Sequence, residues 1–130
     1  MAETHTAATA ETLDSANIVG KLKRRMIDHC LPLWSTEGWD DKAGGFIERL
    51  DRDGRADHLA PRRVRVQARQ IYCYAKAAQM GWYPDGRAIA LKGLDHLLAK
   101  AKGPDGKPGF VHTLKPDGTV LDPLRDSYDH

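Results

Sequence analysis

Two stretches of this chain are near copies of each other, and they constrain its fold more than any other feature. Gly45-Phe46-Ile47-Glu48-Arg49-Leu50-Asp51-Arg52-Asp53-Gly54 is echoed by Gly109-Phe110-Val111-His112-Thr113-Leu114-Lys115-Pro116-Asp117-Gly118, with five identities at a constant offset of 64. Each copy reads as a strand and a turn in which Asp-Gly reverses the chain, the glycine taking a positive φ. Pro116 pre-sets the second turn. Pro61-Arg62-Arg63 follows the first copy and Pro123-Leu124-Arg125 the second, a match that pairs Arg63 with Arg125. Helical patterns fill the space between, so the unit is hairpin, helix, helix. Such units bury their faces only against neighbours and need at least ~3 of them for a continuous core. The expected class is mainly α with short β-hairpins, and fewer than two units are present. A further helix is expected to begin within Asp126–His130, as in the first part of a longer sequence.

The helices follow from periodicity. Residues 1–14 are poor in apolar side chains and read as a disordered leader, with residues 15–130 as one segment of a domain. Ser15 can cap a helix bearing Ile18, Val19, Leu22, Met26, Ile27, Cys30 and Leu31, ending near Pro32. Gly38–Gly45 is a loop, Phe46–Leu50 a strand and Asp51–Gly54 its turn. A second helix spans about Arg62 to Met80, with Gly81 as its C-cap. Pro84-Asp85 opens a third, with Ala88, Ile89, Leu94, Leu97, Leu98 and Ala101 on its apolar side. On the second helix Arg63, Gln67, Gln70 and Tyr74 form a narrow polar stripe between apolar margins, while Arg62, Arg65, Arg69 and Lys76 point away from it. That stripe suits a wet cavity between two packed flanks. It equally suits structural glutamines in a core behind a charged outer face.

Composition excludes several classes. At 130 residues and a net charge of +2, there is room for one modest core, and the basic residues are interleaved with acids. A nucleic-acid surface wants a basic stripe with aromatic platforms instead. Cys30 and Cys73 form no disulfide framework or metal knuckle and are expected as buried thiols in a reducing cytosol. No apolar run reaches the ~18 residues of a membrane span, and the start lacks the features of a secretory signal. The expected location is cytoplasmic. There is no phosphate loop, dinucleotide fingerprint or zinc spacing, so no cofactor and no metal are expected.

Gly44-Gly45-Phe46, then Arg63, Gln67-Ala68-Arg69-Gln70, Gly81-Trp82 and Arg125-Asp126-Ser127-Tyr128-Asp129-His130 resemble the N-acylglucosamine 2-epimerase family. The resemblance runs from about Trp34 to the last residue. It implies an (α/α)6 barrel around a sugar cavity, of which this sequence supplies about the first two helix-pair units; six units of this period come to roughly 380 residues. It also implies proton transfer at the carbon beside a sugar carbonyl, by N-acylglucosamine or cellobiose 2-epimerases or related mannose isomerases. That chemistry needs an acid–base pair, usually histidines, and a fixed positive group where an enediolate oxygen gains charge. Arg63 is the candidate catalytic cation; Gln67, Gln70 and Tyr128 are the candidate substrate-binding residues, and Arg69 reads as a structural ion-pairing residue. His29, His58, His96 and His112 lack a paired base, His130 reads as structural, and the family's acid–base histidines are expected beyond residue 130. The expected partner is a small-molecule sugar, with no nucleic acid and no membrane, a homodimer being open to the full-length protein. Two functions therefore stand: part of a sugar epimerase or isomerase, inactive alone, or a stand-alone helical-repeat binding module without catalysis.

Overall fold

The computed structural model describes residues 14–130; all but the last residue of the expected leader lies outside them. Asp14, rather than Ser15, caps the first helix: its side chain accepts from the Ala16 amide. Helix α1 (Ser15–Arg25) runs through a π turn, Met26–Cys30, into α2 (Leu31–Thr36). Pro32 sits at the start of α2 instead of ending the helix. Proline has no N–H for the preceding turn and its ring crowds a carbonyl there, and the one-residue π expansion is the usual way to absorb such a break.

A long connection then leads to β1 (Arg62–Arg63), α3 (Val64–Gln79), α4 (Gly86–Lys100), β2 (Thr113–Leu114), β3 (Val120–Asp122) and a closing 3-10 turn, Ser127–Asp129. The three strands form one antiparallel sheet in the order β1-β2-β3, with Arg62 opposite Leu114 and Thr113 opposite Asp122. The fold is thus mainly helical with a small sheet. Gly81, at φ 71°, ends α3 as expected.

The repeat is real in the backbone. Gly54 and Gly118 have φ of 76° and 87°. Their turns make the same bonds one period apart: Asp51 N–H to Arg55 O and Gly54 N–H to Asp51 O, against Lys115 N–H to Thr119 O and Gly118 N–H to Lys115 O. The first copy differs in one respect, since Phe46–Leu50 forms only isolated bridges, Trp39 to Phe46 and Leu50 to Ala56. Gln67 clasps the start of this copy: its amide oxygen accepts from Phe46 N–H at 2.8 Å and its NH2 donates to Phe46 O at 2.6 Å.

The core has two lobes. Leu31, Phe46, Tyr74, Ala77, Ile89 and Ala90 form one, and Val64, Leu97, Ala101, Val111 and Leu114 the other, with Ile71 packed against both. Each hairpin thus feeds one lobe, through Phe46 or Val111. Leu94 and Leu98, expected on the apolar side of α4, are exposed, as are Ile18, Val19 and Leu22 of α1. Both cysteines are free; Cys30 is half-buried, but Cys73 is exposed, contrary to the buried thiol expected from its apolar neighbours. No helix among the described residues is long and apolar enough to cross a membrane.

Candidate functional site

Where each hairpin meets the helix that follows it, the same three devices recur. Arg62 is fully buried and reaches back to the loop before the first hairpin, Nη2 to Asp40 Oδ2 at 2.6 Å and Nη1 to Gly44 O at 2.9 Å. Arg125 does the same before the second, Nη2 to Asp105 Oδ1 at 2.5 Å and Nε to Pro108 O at 3.0 Å. Arg63 and Asp126 are the extended N-caps of α3 and the 3-10 turn. Finally, Gln67 accepts from Phe46 N–H, and His130 Nε2 accepts from Phe110 N–H at 2.9 Å.

These pairs share an offset of 63, Arg62 to Arg125, one less than the hairpins. The pairing of Arg63 with Arg125 expected from the sequence is therefore corrected: Arg62 is the partner, because it makes the equivalent clasp. Burial alone would raise the Asp40 carboxyl, but the Ala43 amide, the Arg62 guanidinium and the Lys42 amide outweigh it and hold the group below its ordinary value.

The polar stripe of α3 divides. Gln67 and Tyr74 are buried, not cavity-facing. Gln67 spends its amide on Phe46, and the Tyr74 hydroxyl donates to Leu31 O at 2.5 Å, burial pushing that phenol up. Gln70 lines a small cleft of about 220 Å³ with Met26, Cys30, Trp34 and Cys73, toward the first helices. Arg63 is half-exposed and held by Glu48, through its backbone N–H at 3.0 Å and its Nε at 2.5 Å. The structural-glutamine reading describes Gln67, whose polar ends are all engaged inside the fold.

Tyr128 meets a different set. Its hydroxyl accepts from Arg69 Nη2 at 2.5 Å. Arg65 and Arg69 stand over its ring, their guanidinium carbons 5.1 and 5.4 Å from the centroid. Arg69 is thus not the ion-pairing residue expected, since its partner is a phenol. Sequence reasoning set Arg65 aside as outward-facing; the available signal was the offset of 63, under which Arg65 and Tyr128 are equivalent positions. The Arg63 and Tyr128 side chains, both singled out from the sequence, have different partners.

His96, His112 and His130 are engaged structurally. His96 packs on Gly44 and Gly45, where a Cβ on Gly45 would lie 2.7 Å from its Nε2. Its pKa is lowered by burial and by the Arg62 and Lys100 charges. His112 Nδ1 lies 2.7 Å from Asp129 Oδ2, and with Asp126 these two groups place three donor atoms within 4.8 Å, the one such grouping of metal-ligand types among the described residues. Its geometry is that of a bonded His–Asp pair beside a helix cap, since Asp126 accepts from Tyr128 N–H. Two larger concavities lie elsewhere and are lined by none of Arg65, Arg69 or Tyr128. One of about 590 Å³ runs between the hairpins past Trp39, His58 and Asp117. The other, about 640 Å³, is an apolar groove along Ile71, Ala75, Leu91 and Leu94.

Comparison with known proteins adds three findings. Residues 45–130 match the model of the N-acylglucosamine 2-epimerase (GlcNAc 2-epimerase) family. The mannose-6-phosphate isomerase of Rhizobium meliloti (strain 1021) is 39% identical over 110 residues, which are 85% of this chain and 28% of that protein. The fold is similar to cellobiose 2-epimerase from Spirochaeta thermophila DSM 6192 (TM-score 0.73, 25% identity) and to a sugar epimerase from a ruminal bacterium (TM-score 0.76, 19% identity), each match covering 86% of this chain and 28% of the other.

Proposed function

The chain belongs to the N-acylglucosamine 2-epimerase family, and from that premise we propose that it is part of a sugar epimerase or isomerase that moves a proton at the carbon beside a sugar carbonyl. The observation that carries the reading is the meeting of Arg65 and Arg69 with Tyr128. Arg65 and Tyr128 hold equivalent places in successive units. In a ring of stacked helix pairs, equivalent positions on the inner helices all face the axis. Here α3 and the 3-10 turn at Ser127–Asp129 hold the inner places, in the first two units of an (α/α)6 barrel, and the Arg–Tyr cluster is a strip of its cavity wall.

Within that wall Arg69 is the fixed cation. Removal of the proton leaves an enediolate whose oxygen gains charge, and a preorganised guanidinium stabilises that oxygen most where the charge appears. Tyr128 fixes Arg69 on one side and offers its hydroxyl to a sugar oxygen. Arg63 is the competing candidate, but Glu48 already neutralises its charge. Gln67 acts on the site indirectly, by holding Phe46 against α3. The acid–base pair is supplied by residues outside this segment, whose histidines at 96, 112 and 130 are committed to packing or hydrogen bonds.

The test uses the whole product of the reading frame that holds this segment. Incubated in D2O with mannose, mannose 6-phosphate or cellobiose, it should exchange deuterium into C2, followed by NMR. Arg69→Lys keeps the charge but loses the fork, and turnover should fall by roughly 10²-fold or more with a smaller change in KM. Arg63→Lys should cost less. No exchange with any of these sugars would sink the proposal, and a larger loss at Arg63 would move the catalytic role there.

A further inference from the structure

We propose that His112 is a positioning residue that sets Tyr128 against Arg65 and Arg69. The bonds present in the second hairpin carry the placement, and its consequence for turnover rests on the reading of that face as the cavity wall. His112 touches the entries of both inner elements. Its carbonyl accepts from the N–H of Val64 at 3.0 Å, the first residue of α3 and the neighbour of Arg65. Its ring Nδ1 lies 2.7 Å from Asp129 Oδ2, and Asp129 follows Tyr128 in the 3-10 turn. A carboxylate only accepts hydrogen bonds, so Nδ1 carries the hydrogen and donates it. The other side of the His112 backbone is fixed too, its N–H donating to Asp122 O of β3 at 3.1 Å. The ring thus has a rigid mount, and the Asp129 side chain that it holds is fully buried.

The first hairpin carries the same device. Glu48 is the counterpart of His112 at the hairpin offset of 64, and it accepts from Arg63 N–H at 3.0 Å, at the entry of α3. In each unit the same hairpin position grips the start of the inner element that follows. Between the two grips lie the stacking of Arg65 on the Tyr128 ring and the bond from Arg69 to the Tyr128 hydroxyl. A hydrogen bond to an ionised acceptor is about twice as strong as a neutral one, which suits His112–Asp129 to fixing a short turn. Preorganised sites lose much of their turnover on displacements of about 1 Å. Releasing the turn from His112 would move the Tyr128 hydroxyl relative to Arg69 without removing either group.

The whole reading-frame product labelled with fluorotyrosine tests this, the Tyr128 fluorine NMR signal being identified by its loss in Tyr128→Phe. His112→Ala should shift or broaden that signal. His112→Asn, whose amide can donate from nearly the place of Nδ1, should return it toward the wild-type position. In turnover, His112→Ala should lower kcat by about tenfold or more with a smaller change in KM, and His112→Asn should recover most of the loss. In a Tyr128→Phe background the His112→Ala loss should shrink to about twofold or less, because residues that act as a unit are not additive. Should His112→Ala not fold, His112→Gln, whose amide falls nearer the place of Nε2, should move the signal in its stead. A Tyr128 signal unchanged by these substitutions, or an equal loss of turnover in both backgrounds, overturns the assignment. A displaced signal in a product that exchanges no deuterium at C2 would uphold the positioning and count against the catalytic reading alone.

Discussion

Arg62, in β1, and Arg69, on α3, do opposite things with the same guanidinium. Arg62 is withdrawn from water and closed by Asp40 and Gly44 O. Removing one partner of such a pair strands a buried charge, so Arg62→Met should cost about 3–5 kcal/mol, read as a fall in the denaturant midpoint of the whole product. Arg125→Met, at the more exposed clasp, should cost less, and equal losses would mean that burial is not what makes the first clasp strong. His96 adds a pH dependence. Its folded pKa is depressed below the ordinary 6.5 by burial first and then by Arg62 and Lys100. Below pH 6.5 the unfolded chain takes up a proton that the folded His96 resists. Its contribution to stability is therefore full above 6.5 and is lost as the pH falls through the lowered folded value. Thermal midpoints of the wild type should fall across that window, and His96→Asn should flatten the trend; unchanged slopes would place the proton elsewhere.

Among the elements, the two hairpins are interchangeable in conformation and differ in what flanks them. Gly54 and Gly118 share the left-handed region, where a β-branched residue is strained, so Gly54→Val and Gly118→Val should each cost about 1 kcal/mol or more. Chemical denaturation of the two variants checks this, and a neutral effect at either site would break the equivalence. The flanks differ because β1 pairs with Thr113 and Leu114 of the second hairpin, whereas the first hairpin makes only isolated bridges. Through β1, the sheet joins the entry of α3 to the next unit. Arg65 and Tyr128 face each other across that joint.

For the whole molecule, two apolar surfaces stand open at the flanks of the stack. Ile18, Val19 and Leu22 are exposed on α1, and Leu91, Leu94 and Leu98 on α4. Apolar patches of this kind associate in water. The 130-residue chain by itself should therefore bind a hydrophobic dye and self-associate with rising concentration in sedimentation runs, with a helical far-ultraviolet signal and a weak near-ultraviolet one. Leu94→Glu should shift it toward monomer. A clean monomer with one sharp thermal transition and no dye binding would show that these faces need no cover.

The sequence by itself determined the repeat, its turns, the helices and the family, because each rests on local chemistry. A positive φ calls for glycine, a helical face recurs every three or four residues, and short blocks such as Gln67–Gln70 and Arg125–His130 keep their spacing wherever they fold. It also separated the Arg65–Arg69 side of α3 from the Gln67–Tyr74 side correctly. Which side is inside was decided only by tertiary structure. A buried glutamine or tyrosine is polar on a helical wheel, and nothing local shows that Phe46 and Leu31 hold the partners for Gln67 and Tyr74. The same holds for Arg62, which reads as a surface charge until Asp40 and the Gly44 carbonyl arrive from more than one turn of chain away to close around it.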